Sequence, residues 1–239
     1  MEEALSKIRV HVSSNLAHQK APAVLLCAME ETLKEQKADL VPTAYFAALL
    51  TTLDGTIQKK DMTLGDGDIL PAELYLLALI SPFVPPPVLR TNFNTVLSLT
   101  APLFPLVAQH APAIKSQLSL YSVLIQSLER SQLESAGLRQ VFASVLQLCL
   151  DPRPKVRKKA VDVVRDILAS PPPPTLLHPY AERVVNWLKS ALEESSNSPL
   201  ARKTGKGSET PGAESAIHLL AFLRPVIKNL PSSVGERSH

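Results

Sequence analysis

Along this chain apolar residues recur at three- and four-residue spacing, and almost nowhere do they alternate with the period of two that a half-buried strand requires. That pattern restricts the fold to helices. Tyr45, Ala48, Leu49, Thr52 and Leu53 form one stripe, and Ile114, Leu118, Tyr121, Ile125 and Leu128 a second. Leu138, Val141, Phe142, Val145 and Leu146 form a third, and Val156, Ala160, Val163, Val164 and Ile167 a fourth. The last two run through Leu177, Ala181, Val184, Val185, Leu188 and Leu192, then Ile217, Leu220, Leu223 and Ile227. With 45% hydrophobic residues in 239, the chain has enough apolar material for a sizeable core.

Prolines punctuate the stripes. A proline lacks the amide proton but fits a first helical turn, so Pro22, Pro42, Pro71, Pro112 and Pro152 are expected to mark helix starts. Pro85–Pro87 and Pro171–Pro174 are stiff, extended connections. Segment 194–212 has the composition of a mobile polar loop, and the stretch around 54–68 that of a shorter one. Pairing the stripes gives about five hairpins: 3–17 with 20–36, 42–57 with 69–82, 86–108 with 111–128, 133–149 with 153–169, and 175–193 with 211–230. A period of about 40 residues in helix pairs is the signature of an all-α solenoid of the HEAT or armadillo kind; a compact bundle is the competing architecture. The expected organisation is repeats over 1–193, a loop over 194–212, and a final helix and tail over 213–239.

The opening residues are charged where a secretory signal would be apolar, and the longest apolar stretch, Leu74 to Val84, is too short to span a bilayer. A soluble, intracellular protein without membrane contact is expected. Cys27 and Cys149 are far apart in sequence, which supports neither a disulfide framework nor a zinc module.

Residues 148–170 carry the most specific motif: Asp151-Pro152, then Val156-Arg157, then Ala160 and an aliphatic stripe, the order of the second helix of a HEAT repeat. Asp151 is expected to accept from the amides opening that helix, Pro152 to sit in its first turn, and Arg157 to pair with acidic groups between repeats. The same segment is the most basic: residues 151–170 hold Arg153, Lys155, Arg157, Lys158, Lys159 and Arg165 against Asp151, Asp162 and Asp166, a net +3 equal to that of the whole chain. Three readings are open: a phosphate-contacting surface formed by Arg153, Lys155, Lys158, Lys159 and Arg165, a solvated or inter-repeat face, or a nuclear-localisation peptide.

No catalytic, cofactor or metal constellation emerges. Gly205-Lys206-Gly207-Ser208 lacks the earlier glycine of a phosphate loop, and the order from Asp61 to Glu73 fails the calcium-loop pattern despite Asp66 and Asp68. His11, His18, His110, His178 and His218 are dispersed, without a cysteine or carboxylate at ligand spacing, so capping or surface roles are expected. Trp187 reads as a core or half-buried anchor, and 5% aromatic residues weigh against a base-stacking surface. Hence no enzyme, no cofactor and no small-molecule substrate are expected.

The block Asp151-Pro-Arg-Pro-Lys-Val-Arg-Lys-Lys-Ala160, followed by Pro171–Pro174 and His178-Pro-Tyr-Ala-Glu182, resembles the N-terminal HEAT region of the ribosomal RNA-processing protein twelve-like family. The opening, from Ile8-Arg9-Val-His11 through Gln19-Lys-Ala-Pro22 and on to Pro42-Thr43-Ala44-Tyr45-Phe46, is similar to the start of its fungal members. The resemblance implies a ribosome-assembly factor, nuclear and nucleolar and able to shuttle to the cytoplasm. Its partners would be pre-ribosomal particles and pre-rRNA, with Ran GTPase and nucleoporins in subunit export. A transport-receptor-like protein that binds a GTPase or Phe-Gly nucleoporins is the alternative. Family members are several times longer, so a fragment is expected, with an end at Val234–His239 that lacks a solenoid cap.

Overall fold

The computed structural model describes residues 1–60, 62–197 and 211–231, and among these it contains thirteen α-helices and no strand. They fall into two compact units, 1–128 and 129–239.

The first unit opens with α1 (Glu2–Arg9), α2 (Ala17–Glu35), α3 (Pro42–Gln58) and α4 (Ile69–Ile80). α1 ends eight residues before the expected 17, where Val10, Val12, Ser13 and Ser14 follow: β-branched and hydroxyl side chains, with Ser14 Oγ accepting from Leu16 N–H. Pro42 occupies the first turn of α3, as expected. Pro22 does not mark a start: α2 begins five residues earlier, and proline is accommodated there because the carbonyl it leaves without a donor, that of His18, lies in the exposed first turn. α3 runs through Gln58, so the polar connection begins later than the composition indicates.

α4 lies at the centre of this unit, against α2, α3 and α8 (Ala111–Ser127). It is apolar nearly all round, and Leu70, Leu74, Leu76, Leu77 and Ile80 are wholly buried. Burial on several sides, not a bilayer, explains the longest apolar run; no helix among the described residues is long and apolar enough to cross a membrane. Between α4 and α8 the expected helix 86–108 is broken into α5 (Pro86–Thr91), α6 (Phe93–Thr100) and α7 (Phe104–Val107). Asn92 makes the first break, its side chain donating to Val88 O at 2.9 Å, and Pro102 and Pro105 make the second. Gln117 Nε2 donates to Thr100 O (2.6 Å) and to Tyr121 Oη (2.7 Å), and Tyr121 donates to Thr100 Oγ1 (3.0 Å), so a buried polar network ties α6 to α8. Pro112 lies in the first turn of α8, where His110 accepts from Ala113 N–H, the capping role expected of a histidine.

The second unit holds α9 (Arg130–Leu133), α10 (Ala136–Leu148), α11 (Pro154–Leu168), α12 (Ala181–Asn197) and α13 (Pro211–Val226). α10 pairs with α11 and α12 with α13, as the repeat pattern predicts, and α13 also packs on α11. The helical bounds narrow the expected 194–212 loop at both ends; the remainder, 198–210, and the tail 232–239 lie outside the described residues. The stripe assigned to α13 is out of phase. Leu219, Phe222 and Val226 are buried, whereas Ile217 and Leu220 are both 64% exposed and Ile227 is exposed. Leu177 and Leu192, assigned to the α12 stripe, are also exposed. Trp187 is half-buried, edge-on to Phe222 at 5.3 Å.

Candidate nucleic-acid interface

α11 is oriented by its apolar stripe. Val156, Ala160, Val163, Val164 and Ile167 are buried, all five as the spacing predicts, and this commits the opposite side of the helix to solvent. Lys155 and Lys158 are about one turn apart on that side, and Lys159 flanks the buried stripe. Lys155 and Lys158 are exposed and Lys159 is half-buried.

The basic residues divide into two kinds. The arginines are held within the protein. Arg153 donates to the Asp151 carboxylate through Nε (2.8 Å) and Nη2 (2.7 Å), and Arg165 to Asp162 (2.9 Å) and Asp166 (3.0 and 2.8 Å). No ion pair joins Arg157 to an acidic group among the described residues: its Nη1 donates to the Asp151 carbonyl at 2.6 Å, bracing the turn between α10 and α11, so a local backbone contact stands where a pairing between repeats was expected. The lysines are not so held. Lys158 is 83% exposed and only 3.7 Å from Asp162, and no ion pair joins Lys155 or Lys159 to an acidic group among the described residues.

The Asp-Pro motif also works differently from the expectation. α11 starts at Pro154, not Pro152, and its cap residue is Arg153. The Asp151 carboxylate accepts from Arg153 N–H at 2.9 Å, an Asx-type turn two residues short of the helix; the side chain is too far upstream to reach the helical amides. Arg153 beside it holds the carboxyl below the usual range, through the side-chain hydrogen bond first and the backbone bond second.

One consequence is electrostatic. The first turn of α11 contains no acidic residue, and Lys155 stands in it, against the sign that the helix dipole favours. The aspartates, Asp162 and Asp166, lie in the second half of the helix, where the dipole disfavours them too. The two acceptors of Arg165 were legible at three-residue and one-residue spacing. With Asp151, which holds Arg153, they leave Lys155, Lys158 and Lys159 of the five expected residues as the cations not tightly held by a carboxylate.

Among the described residues, no group of three or more His, Cys, Asp or Glu side chains could hold a metal ion. Burial pushes the Cys149 thiol well up, and it donates to Val145 O, the environment of an inert core thiol.

The family model described as RRP12-like, N-terminal HEAT repeats, matches residues 7–237. The chain is 31% identical over 223 residues to Ribosomal RNA-processing protein 12 of Saccharomyces cerevisiae, covering 88% of this chain and 18% of that protein. It is 27% identical over 237 residues to the RRP12-like protein of Homo sapiens, covering 96% and 17%. A putative ribosomal RNA-processing protein 12 of Schizosaccharomyces pombe is 31% identical over 162 residues, covering 65% and 13%. No solved structure matches. The chain thus spans less than a fifth of the length of these relatives. A helix-pair fold without strands among the described residues, the Asp151–Ala160 motif with its apolar stripe buried, and a family match over nearly the whole length agree: the chain belongs to the RRP12-like family, in its N-terminal HEAT-repeat region.

Proposed function

We propose that this chain is part of a non-enzymatic helical scaffold in ribosome biogenesis, and that the lysine face of α11 contacts the phosphate backbone of pre-rRNA within pre-ribosomal particles. The observation that carries the contact is the placement of Lys155 and Lys158 on the solvent-facing side, with the half-buried Lys159 at its edge, of a helix whose orientation is fixed by its buried stripe. A surface selected only for stability would place acidic groups in the first turn; cations there are explained by an external anion. The names of the relatives supply the process, ribosomal RNA processing. Nuclear and nucleolar residence, subunit export, shuttling, and Ran GTPase and nucleoporins as further partners belong to the same reading and rest on the family resemblance alone.

The test is RNA recovery. Cells expressing the tagged chain, or its Lys155→Glu, Lys158→Glu, Lys159→Glu variant, are crosslinked, and pre-rRNA is quantified relative to messenger RNA. Enrichment with the parent and its loss in the helical variant is the expected result. Equal enrichment with both would remove α11 from the contact, and no enrichment with either would contradict an RNA-contacting role for this region.

A further inference from the structure

The second unit also contains a cavity of about 600 Å³, bordered by α9, the start of α10, the segment before α12 and the opening of α12. Three arginines from three different helices line it: Arg130, Arg139 and Arg183. Glu134 and Glu182 lie on the same rim, yet no ion pair or hydrogen bond joins any of these five side chains to a described residue. This contrasts with Arg9, Arg153 and Arg165, each of which holds a carboxylate. A guanidinium fork matches a carboxylate or phosphate in shape and charge, and here three arginines line one cavity without an ion pair to a described carboxylate.

Beneath them lies His178, 2% exposed. Its Nδ1 accepts from Tyr180 N–H at 3.1 Å, which places the ring proton on Nε2, and no described residue accepts from that N–H. Burial lowers the pKa of the ring to about 4, so it is a neutral donor at physiological pH. α12 opens at the same place. The amides of Glu182 and Arg183 precede its first helical bond, Val184 N–H to Tyr180 O, and add two donors to that end of the cavity.

We propose that this cavity docks an acidic peptide segment of a partner protein, one anionic side chain of which lies among Arg130, Arg139 and Arg183 and accepts from His178 Nε2–H. The anionic group is a carboxylate or a phosphate, which share the forked oxygen geometry. A peptide fits better than RNA for two reasons. Glu134 and Glu182 leave a single excess positive charge, which suits one anionic group and repels a continuous polyanion. Tyr180 offers no face for a base, since it packs on Phe142 at 4.5 Å and its hydroxyl donates to Leu133 O at 2.7 Å; Leu177 and Pro179 instead give an apolar wall for aliphatic carbon. The proposal is independent of the α11 lysines.

Fluorescence anisotropy with the full chain and three labelled peptides tests it. The peptides are built of glycine, alanine and leucine and differ only at a central phosphoserine, glutamate or serine. Binding at least tenfold tighter for phosphoserine or glutamate than for serine, with competition by inorganic phosphate, is expected, and the better of the two identifies the anion. Arg139→Glu with Arg183→Glu, both exposed and so compatible with the fold, abolishes the preference, whereas the Lys155, Lys158 and Lys159 to Glu changes leave it intact. Equal binding of the three peptides, a preference that survives the arginine changes, or an arginine dependence seen only with an oligoribonucleotide would each overturn the proposal.

Discussion

Arg157 illustrates how a charge can serve backbone geometry instead of a partner: expected to pair with acidic groups between repeats, its guanidinium donates to the Asp151 carbonyl. Asp151 beside it is 8% exposed on its side chain and is held by three donor atoms of Arg153. Replacing Asp151 with Ala removes these charge-assisted bonds and is expected to cost about 1–2 kcal/mol at neutral pH, measured by urea unfolding. Because the folded-state pKa is depressed, that stability is present above the unfolded carboxyl pKa of about 4 and is lost as pH falls through the lower folded value, so wild type and variant should converge in acid. A second site of the same kind joins α1, α2 and α3. Buried Glu30 accepts from Arg9 (2.6 and 3.0 Å) and from Tyr45 Oη (2.8 Å), and burial, then the hydrogen bond to Glu30, raises the Tyr45 phenol to about 12. Glu30→Ala leaves the buried phenol without its acceptor and Arg9 with Glu2 as its remaining carboxylate, and should cost about 2 kcal/mol by the same measurement.

At the scale of elements, what the chain's pattern made legible depended on how one-sided each helix is. α11 and α10 bury a single stripe, and every residue assigned to those stripes is buried. α13 carries apolar residues on more than one side, so periodicity alone could not choose between the 217–220–223–227 and the 219–222–226 phases; contact with α11 and α12 decides it. Phe222→Ala is accordingly expected to cost about 3–4 kcal/mol and Leu220→Ala less than about 0.5 kcal/mol, and reversed magnitudes would restore the other phase. The breaks at 86–108 were written in Asn92, Pro102 and Pro105, but a side chain that competes for a helix carbonyl does not disturb the apolar spacing and so left no mark on the stripe. The candidate interface was legible as charge, not as geometry: which cations would be neutralised locally required the positions of Asp151, Asp162 and Asp166. Lys155, in the first turn, opposes the helix dipole, so Lys155→Glu should raise stability by about 0.5 kcal/mol, read as a small increase in Tm. A decrease would indicate that Lys155 has a stabilising role within the fold.

For the molecule as a whole, charge is distributed so that one segment supplies the excess. Residues 1–150 carry 11 basic and 13 acidic groups and residues 171–239 carry 8 and 6, leaving the +3 of 151–170 as the local source of positive field. Within that segment Lys155 and Lys159 have no ion pair among the described residues and Lys158 has only a long one to Asp162 at 3.7 Å, and these three set the quantitative expectation for RNA. Three phosphate contacts to a single strand give a slope of log K against log salt of about −2. The most direct measurement is therefore the salt dependence of pre-rRNA fragment binding by the full chain and by its Lys155→Glu, Lys158→Glu, Lys159→Glu variant, with helicity checked by circular dichroism. Weaker binding and a slope shallower by about 2 in a fully helical variant is the predicted result; an unchanged affinity and slope would contradict the assignment of α11 as the RNA-contacting surface.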